Sequence, residues 1–81
     1  MDKRLAILRF IAQYRDQHGW SPSLKEIMAA VGITSTSHIH YYIEHLVNER
    51  LLYKRPYAAR AIRLTKAGRA YIGEPVQAKE A

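Results

Sequence analysis

Residues 23–46 read SLKEIMAAVGITSTSHIHYYIEHL, and this stretch decides the fold. Ser23-Leu24-Lys25-Glu26 is an S-x-x-E capping box. The Ser23 hydroxyl can accept from the amide of Glu26 while the Glu26 carboxylate reaches back to the amide of Ser23. A helix therefore starts near Leu24, runs through Ile27, Met28 and Val31, and ends at Gly32, which suits the left-handed residue of a helix C-cap. Only Ile33-Thr34-Ser35-Thr36-Ser37 separates it from the next helix, for which Ser35 is the best N-cap. That helix runs to about Glu49. Ile39, Ile43, Leu46 and Val47 form its apolar face. Ser37, His40, Tyr41 and Glu44, at i, i+3, i+4 and i+7, form the opposite one. This second face is short-chained, aromatic or hydrogen-bonding and almost uncharged, whereas a face that only meets water would carry more Lys and Glu.

Upstream, Asp2 to about His18 reads as a first helix. Leu8, Ile11 and Tyr14, with Ile7 and Ala12 beside them, make a core stripe, and Lys3, Arg9, Gln13 and Asp16 lie off it. Gly19 is its C-cap. Trp20-Ser21-Pro22 is a linker, because Pro22 disfavours helix at Ser21, and Trp20 is expected to fold back onto the first helix as a packing anchor. Downstream, Leu51-Leu52-Tyr53-Lys54-Arg55 is short and bounded by Pro56, which suits a strand. Ala59 to Leu64 is its partner, and Pro56-Tyr57-Ala58 is the hairpin tip. A lone hairpin is marginal, so Leu51, Ile62 and Leu64 must pack on the helices. Thr65 caps a further short helix that ends near Ile72. The expectation is an α+β domain over residues 1–72: a three-helix helix-turn-helix core, a two-stranded β-hairpin wing and a short C-terminal helix. Residues 73–81 read as a flexible tail or the start of a linker.

With 81 residues the chain is one domain near the lower size limit for a single core. It has no cysteine, which excludes a disulfide scaffold, a thiol nucleophile and cysteine-ligated zinc. No apolar run approaches the ~20 residues of a membrane span, and the N-terminus has no secretory pattern. The expected setting is cytoplasmic. The net charge of +6 is uneven. Residues 1–34 carry five basic and three acidic side chains, residues 35–69 seven and two, and residues 70–81 one and two. From Arg50 to Arg69 every charged side chain is positive: Arg50, Lys54, Arg55, Arg60, Arg63, Lys66 and Arg69. Such a block on a small basic domain points to a polyanion.

The major groove of B-DNA admits one α-helix, whose N-terminal residues reach base edges. The third helix meets that need with Thr36, Ser37, His38, His40 and Tyr41 as candidate base readers. His40 can donate to guanine or accept from adenine N6, and Tyr41 can set its hydroxyl on a phosphate or its ring against a thymine methyl. Ser35, Lys54, Arg55, Tyr57, Arg60 and Arg63 are the candidates for the sugar-phosphate backbone, Arg60 being the one expected to enter a minor groove. Phosphate contacts position and base contacts specify, so helix and wing divide the work. No metal or other cofactor is expected. His38 and His40 point about 200° apart on a helix, and no carboxylate or cysteine completes a ligand set. Ser37, a histidine and Glu44 match a triad in composition alone, since all lie on one helix with no cleft, so no enzyme is expected. The rival reading is a winged-helix module that binds protein, with Tyr41, Tyr42, Tyr53 and Tyr57 as anchors.

Gly19-Trp20-Ser21-Pro22-Ser23-Leu24-Lys25-Glu26-Ile27, then Val31-Gly32-Ile33, and Arg60-Ala61-Ile62-Arg63-Leu64 after the wing resemble the N-terminal DNA-binding domain of LexA-type SOS repressors. The resemblance covers about residues 5–64 and does not extend to that family's self-cleaving peptidase domain. It implies a transcriptional repressor of bacterial or phage type that binds an inverted-repeat operator in double-stranded DNA as a homodimer, at the nucleoid. By spacing, Ser35 matches the family's cap, and Ser37, His40 and Tyr41 match its base-reading positions. The family has an Asn and two Glu there, so its operator does not transfer. The family's glycine after the third helix is Arg50 here, and its glycine-bearing wing tip is Pro56-Tyr57-Ala58. Leu64-Thr65-x-x-Gly68 is similar to the L-T-x-x-G found after the wing in other winged-helix regulators.

Overall fold

The computed structural model describes residues 3–55 and 60–73. Helix α1 spans Lys3–His18, α2 Leu24–Val31 and α3 Thr36–Asn48. Strands β1 (Leu52–Lys54) and β2 (Ile62–Leu64) follow, then the short α4 (Lys66–Tyr71). The strands pair antiparallel with Leu52 opposite Leu64, Tyr53 opposite Arg63 and Lys54 opposite Ile62. This is the expected α+β order of three helices, hairpin and short helix. β1 is shorter than expected at both ends and β2 starts later than expected, although the Arg55 amide still donates to the Ala61 carbonyl at 3.2 Å. The hairpin tip and Tyr57 lie outside the described residues, as do residues 74–81.

Local chemistry sets the helix ends. Both halves of the capping box form: Glu26 N–H donates to Ser23 Oγ at 3.2 Å, and Ser23 N–H to Glu26 Oε1 at 2.8 Å. Gly32 closes α2 in the left-handed region at φ 75°. Lys3 Nζ donates to the carbonyl of Val31 at 2.5 Å, a cation placed where the α2 dipole is negative. Ser35 caps α3, its hydroxyl oxygen accepting from His38 N–H at 3.2 Å.

The core gathers Ile7, Leu8 and Ile11 of α1, Ile27 of α2, Ile39, Ile43 and Leu46 of α3, and Leu51, Leu52 and Ile62 of the hairpin region. Each fully buried Ile or Leu contributes roughly 1.5–3 kcal/mol. Strand alternation turns Leu52, Ile62 and Leu64 toward the helices and leaves Tyr53 and Arg63 outside. Trp20 does not become a buried anchor. It is 53% exposed and meets the His18 ring at 5.8 Å, at the end of a row formed by Phe10, Tyr14 and His18.

Among the described residues, two non-glycine residues hold left-handed backbone, Arg50 at φ 64° and Arg60 at φ 53°. Arg50 makes the corner between α3 and β1. Thr65 then locks this corner. Its hydroxyl donates to the Arg50 carbonyl at 2.6 Å and accepts from Gly68 N–H at 3.0 Å, and its own N–H donates to the Leu51 carbonyl at 3.1 Å.

Candidate nucleic-acid interface

Burial of Ile39, Ile43 and Leu46 orients α3, so its opposite face is presented outward. Thr36, Ser37, His38, His40, Tyr41 and Glu44 are all exposed. Tyr41 is 62% exposed, stacked on His45 at 5.9 Å and edge-on to Tyr42 at 5.8 Å. The His38 ring lies 5.1 Å from that of Tyr42, which packs against the core. These ring contacts limit the rotamers of His38 and Tyr41 while leaving His40 on open surface. The first amides of α3 have no carbonyl one turn back and carry the positive end of the helix dipole, beside the Ser35 hydroxyl.

The fold brings α3, the α2 N-terminus and the hairpin around one concavity. A cavity of about 360 Å³ is lined by Pro22, Lys25, His40, Ile43, Lys54 and Ile62, among others. Lys54 Nζ reaches Glu44 Oε2 at 3.2 Å, which links the wing to the exposed face of α3. Among the described residues, no group of three His, Cys, Asp or Glu side chains is placed to hold a metal ion, and no helix is long and apolar enough to cross a membrane.

The wing cations divide into three settings. Lys54 is on the α3 side. Arg55 and Arg63 are exposed on the other side, with the Arg63 guanidinium 5.5 Å from the centre of the Tyr53 ring. Arg60 lies between the two sides and borders a concavity on each. Its Nη1 and Nη2 donate to Glu26 Oε1 and Oε2 at 2.9 and 3.1 Å, and Nη1 also lies 3.2 Å from the Tyr14 hydroxyl and from the Ser21 carbonyl. The Arg60 fork, followed by the Ser23 amide, lowers the Glu26 pKa from its ordinary 4.5 to about 2, and Glu26 in turn raises that of Arg60. Arg60, although exposed, is thus tied to partners within the molecule, an arrangement that no local pattern in the sequence announces because its partners belong to α1, the linker and α2. Sequence reading also missed three residues that line these surfaces: Lys25, Glu44 as partner of Lys54, and Arg15 at the end of α1.

A family model described as LexA DNA binding domain matches residues 2–61. The LexA repressor of Oenococcus oeni is 42% identical over 73 residues, covering 90% of this chain and 34% of that protein. The LexA repressor of Limosilactobacillus fermentum is 40% identical over 72 residues, covering 89% and 35%. That of Limosilactobacillus reuteri is 36% identical over 77 residues, covering 94% and 37%. The chain therefore spans about a third of the length of the curated relatives it matches.

Proposed function

Since the chain belongs to the LexA DNA-binding domain family, we propose that it binds double-stranded DNA sequence-specifically, as a repressor-like regulator, with α3 in the major groove and the hairpin on the backbone. The observation that carries this reading is the outer face of α3. It is exposed, uncharged over its first two turns, and flanked by Lys54 of the hairpin. Thr36, Ser37, His38, His40 and Tyr41 are the residues within reach of base edges. Ser35 and the free amides at the start of α3 suit one phosphate. Lys54, Arg55, Tyr57 and Arg63 supply the remaining grip, while Arg60 serves by holding the wing against α2. Two copies on an inverted repeat would read two half-sites one helical turn apart, as helix-turn-helix dimers do.

Random-sequence selection on the purified protein, followed by titration of the selected duplex at two salt concentrations, tests this. The expected outcome is an enriched inverted repeat and a slope of log K against log salt of roughly −4 to −5 per protomer, for ~5 neutralised phosphates. Failure to enrich any sequence, with a slope near zero, would refute it. The exposed rings of Tyr41 and Tyr53 favour one rival, a protein-binding module. In that case alanine at Lys54 would leave DNA affinity intact while a protein partner is lost.

A further inference from the structure

The outer face of the hairpin carries a second concave surface, which joins Arg55 and Arg63 of the proposed backbone grip to α1. A cavity of about 230 Å³ is lined by Arg15, Ser21, Tyr53, Arg55, Arg60 and Arg63, among others. Four arginines thus line one small space, drawn from α1 and from both sides of the hairpin. Arg60 is neutralised by Glu26. Arg15, Arg55 and Arg63 have no carboxylate partner among the described residues. Three unneutralised cations around one cavity repel each other, and an anion seated among them removes that cost. Strand alternation places Tyr53 and Arg63 on the face opposite Lys54 and Ile62, so this cavity lies across the hairpin from the one that includes His40.

The residue types narrow the ligand. Arginine presents a planar fork that matches phosphate oxygens two at a time, which a lysine cannot do. The Tyr53 ring holds the Arg63 guanidinium by a cation–π contact, which limits the entropy lost when that fork engages. A space of about 230 Å³ has room for a phosphate or diphosphate group. We propose that Arg15, Arg55 and Arg63, with Tyr53, form a binding site for a phosphate group. The phosphate comes either from the DNA backbone beside the wing or from a free phosphate-bearing molecule. The first source rests on the DNA reading proposed above, which already gives Arg55 and Arg63 to the backbone; the second does not.

Calorimetric titration with inorganic pyrophosphate, against sodium chloride at matched ionic strength, tests the site. Saturable binding of one pyrophosphate per chain is expected, weakened about tenfold or more by Arg15→Ala and by Arg63→Ala. Arg15→Lys and Arg63→Lys keep the charge and lose the fork. They should bind more weakly than the parent at an unchanged Tm, which separates recognition from folding. Repeating the titration with a mixed-sequence duplex present assigns the source. Displacement by the duplex supports the site with backbone phosphate as its ligand, and persistence supports it with a free phosphate compound. A pyrophosphate response equal to that of chloride, or one unchanged in both alanine variants, overturns the proposal. A chain that binds pyrophosphate but no duplex would refute the DNA reading and leave this site standing.

Discussion

Arg60 and Glu26 meet fork to fork. Two parallel hydrogen bonds of 2.9 and 3.1 Å join the returning side of the hairpin to the capping box that starts α2. One carboxylate therefore does two jobs, closing the helix end and tethering the wing. Exposed ion pairs usually contribute little, but bidentate geometry is the exception. Glu26→Gln separates the two jobs, since glutamine still serves a capping box but brings no charge to Arg60. It should lower Tm and weaken duplex binding, although it removes a negative charge near DNA. If Arg60 instead acted on phosphate, freeing it would tighten binding and steepen the salt slope. Duplex titration of the variant at two salt concentrations gives the sign.

The same pair sets an acid response. The Glu26 carboxyl is held at about 2, below its ordinary 4.5, by Arg60 first and the Ser23 amide second. A depressed acid stabilises the fold above its unfolded-state pKa and loses that contribution as pH falls through the folded value. Stability should therefore decline between about pH 4.5 and 2, and Glu26→Gln should flatten that part of the curve. Urea midpoints across this pH range test it, and identical curves for parent and variant would count against the tether.

Arg50 sits at φ 64°, where L side chains are strained and glycine is not. Arg50→Gly should raise stability by about 1 kcal/mol, measured by urea unfolding. A loss of stability would mean that the arginine side chain makes up for its backbone.

Gly68 packs with no room for a side chain. A Cβ added there would lie 2.1 Å from the Leu51 carbonyl oxygen. That oxygen accepts from Thr65, so it cannot move without opening the corner between α3 and the hairpin. Gly68→Ala should detach α4 and lower Tm by several degrees, while Ala67→Gly beside it serves as the control. An unchanged Tm in Gly68→Ala would refute this packing.

Glu44 places a carboxylate on the exposed face of α3, held by Lys54 at 3.2 Å. Glu44→Gln should release Lys54 and tighten binding to all duplexes, with the salt slope steeper by about one unit. Lys54→Ala should have the opposite effect on both. Filter or fluorescence titrations on one selected and one scrambled duplex measure both quantities.

How much of this was legible in the sequence depends on range. The Ser23–Glu26 box, the Gly32 cap, the Ser35 cap and the Thr65 cap are read from neighbours within a few residues, and each stands where expected. The α3 faces follow from helical spacing alone, so the outward set from Thr36 to Tyr41 was also legible. The partners of the wing cations were not. A run of positive side chains looks uniform in sequence, yet folding brings Glu26 to Arg60 and Glu44 to Lys54 and leaves Arg55 and Arg63 without carboxylates among the described residues. Left-handed backbone at Arg50 and Arg60 was not read from the sequence, since arginine does not mark it locally. Trp20 has the size of a core residue, but Pro22 and Ser21 fill the space beneath the linker instead.

The most direct measurement is the affinity of the parent and of His40→Ala and Tyr41→Ala for the selected duplex and a scrambled one, each at two salt concentrations. Base reading by α3 predicts that the parent prefers the selected duplex. Each substitution should remove ~1–3 kcal/mol of that preference while leaving the salt slope unchanged. Equal affinity of the parent for both duplexes, or a preference that survives both substitutions, would contradict it.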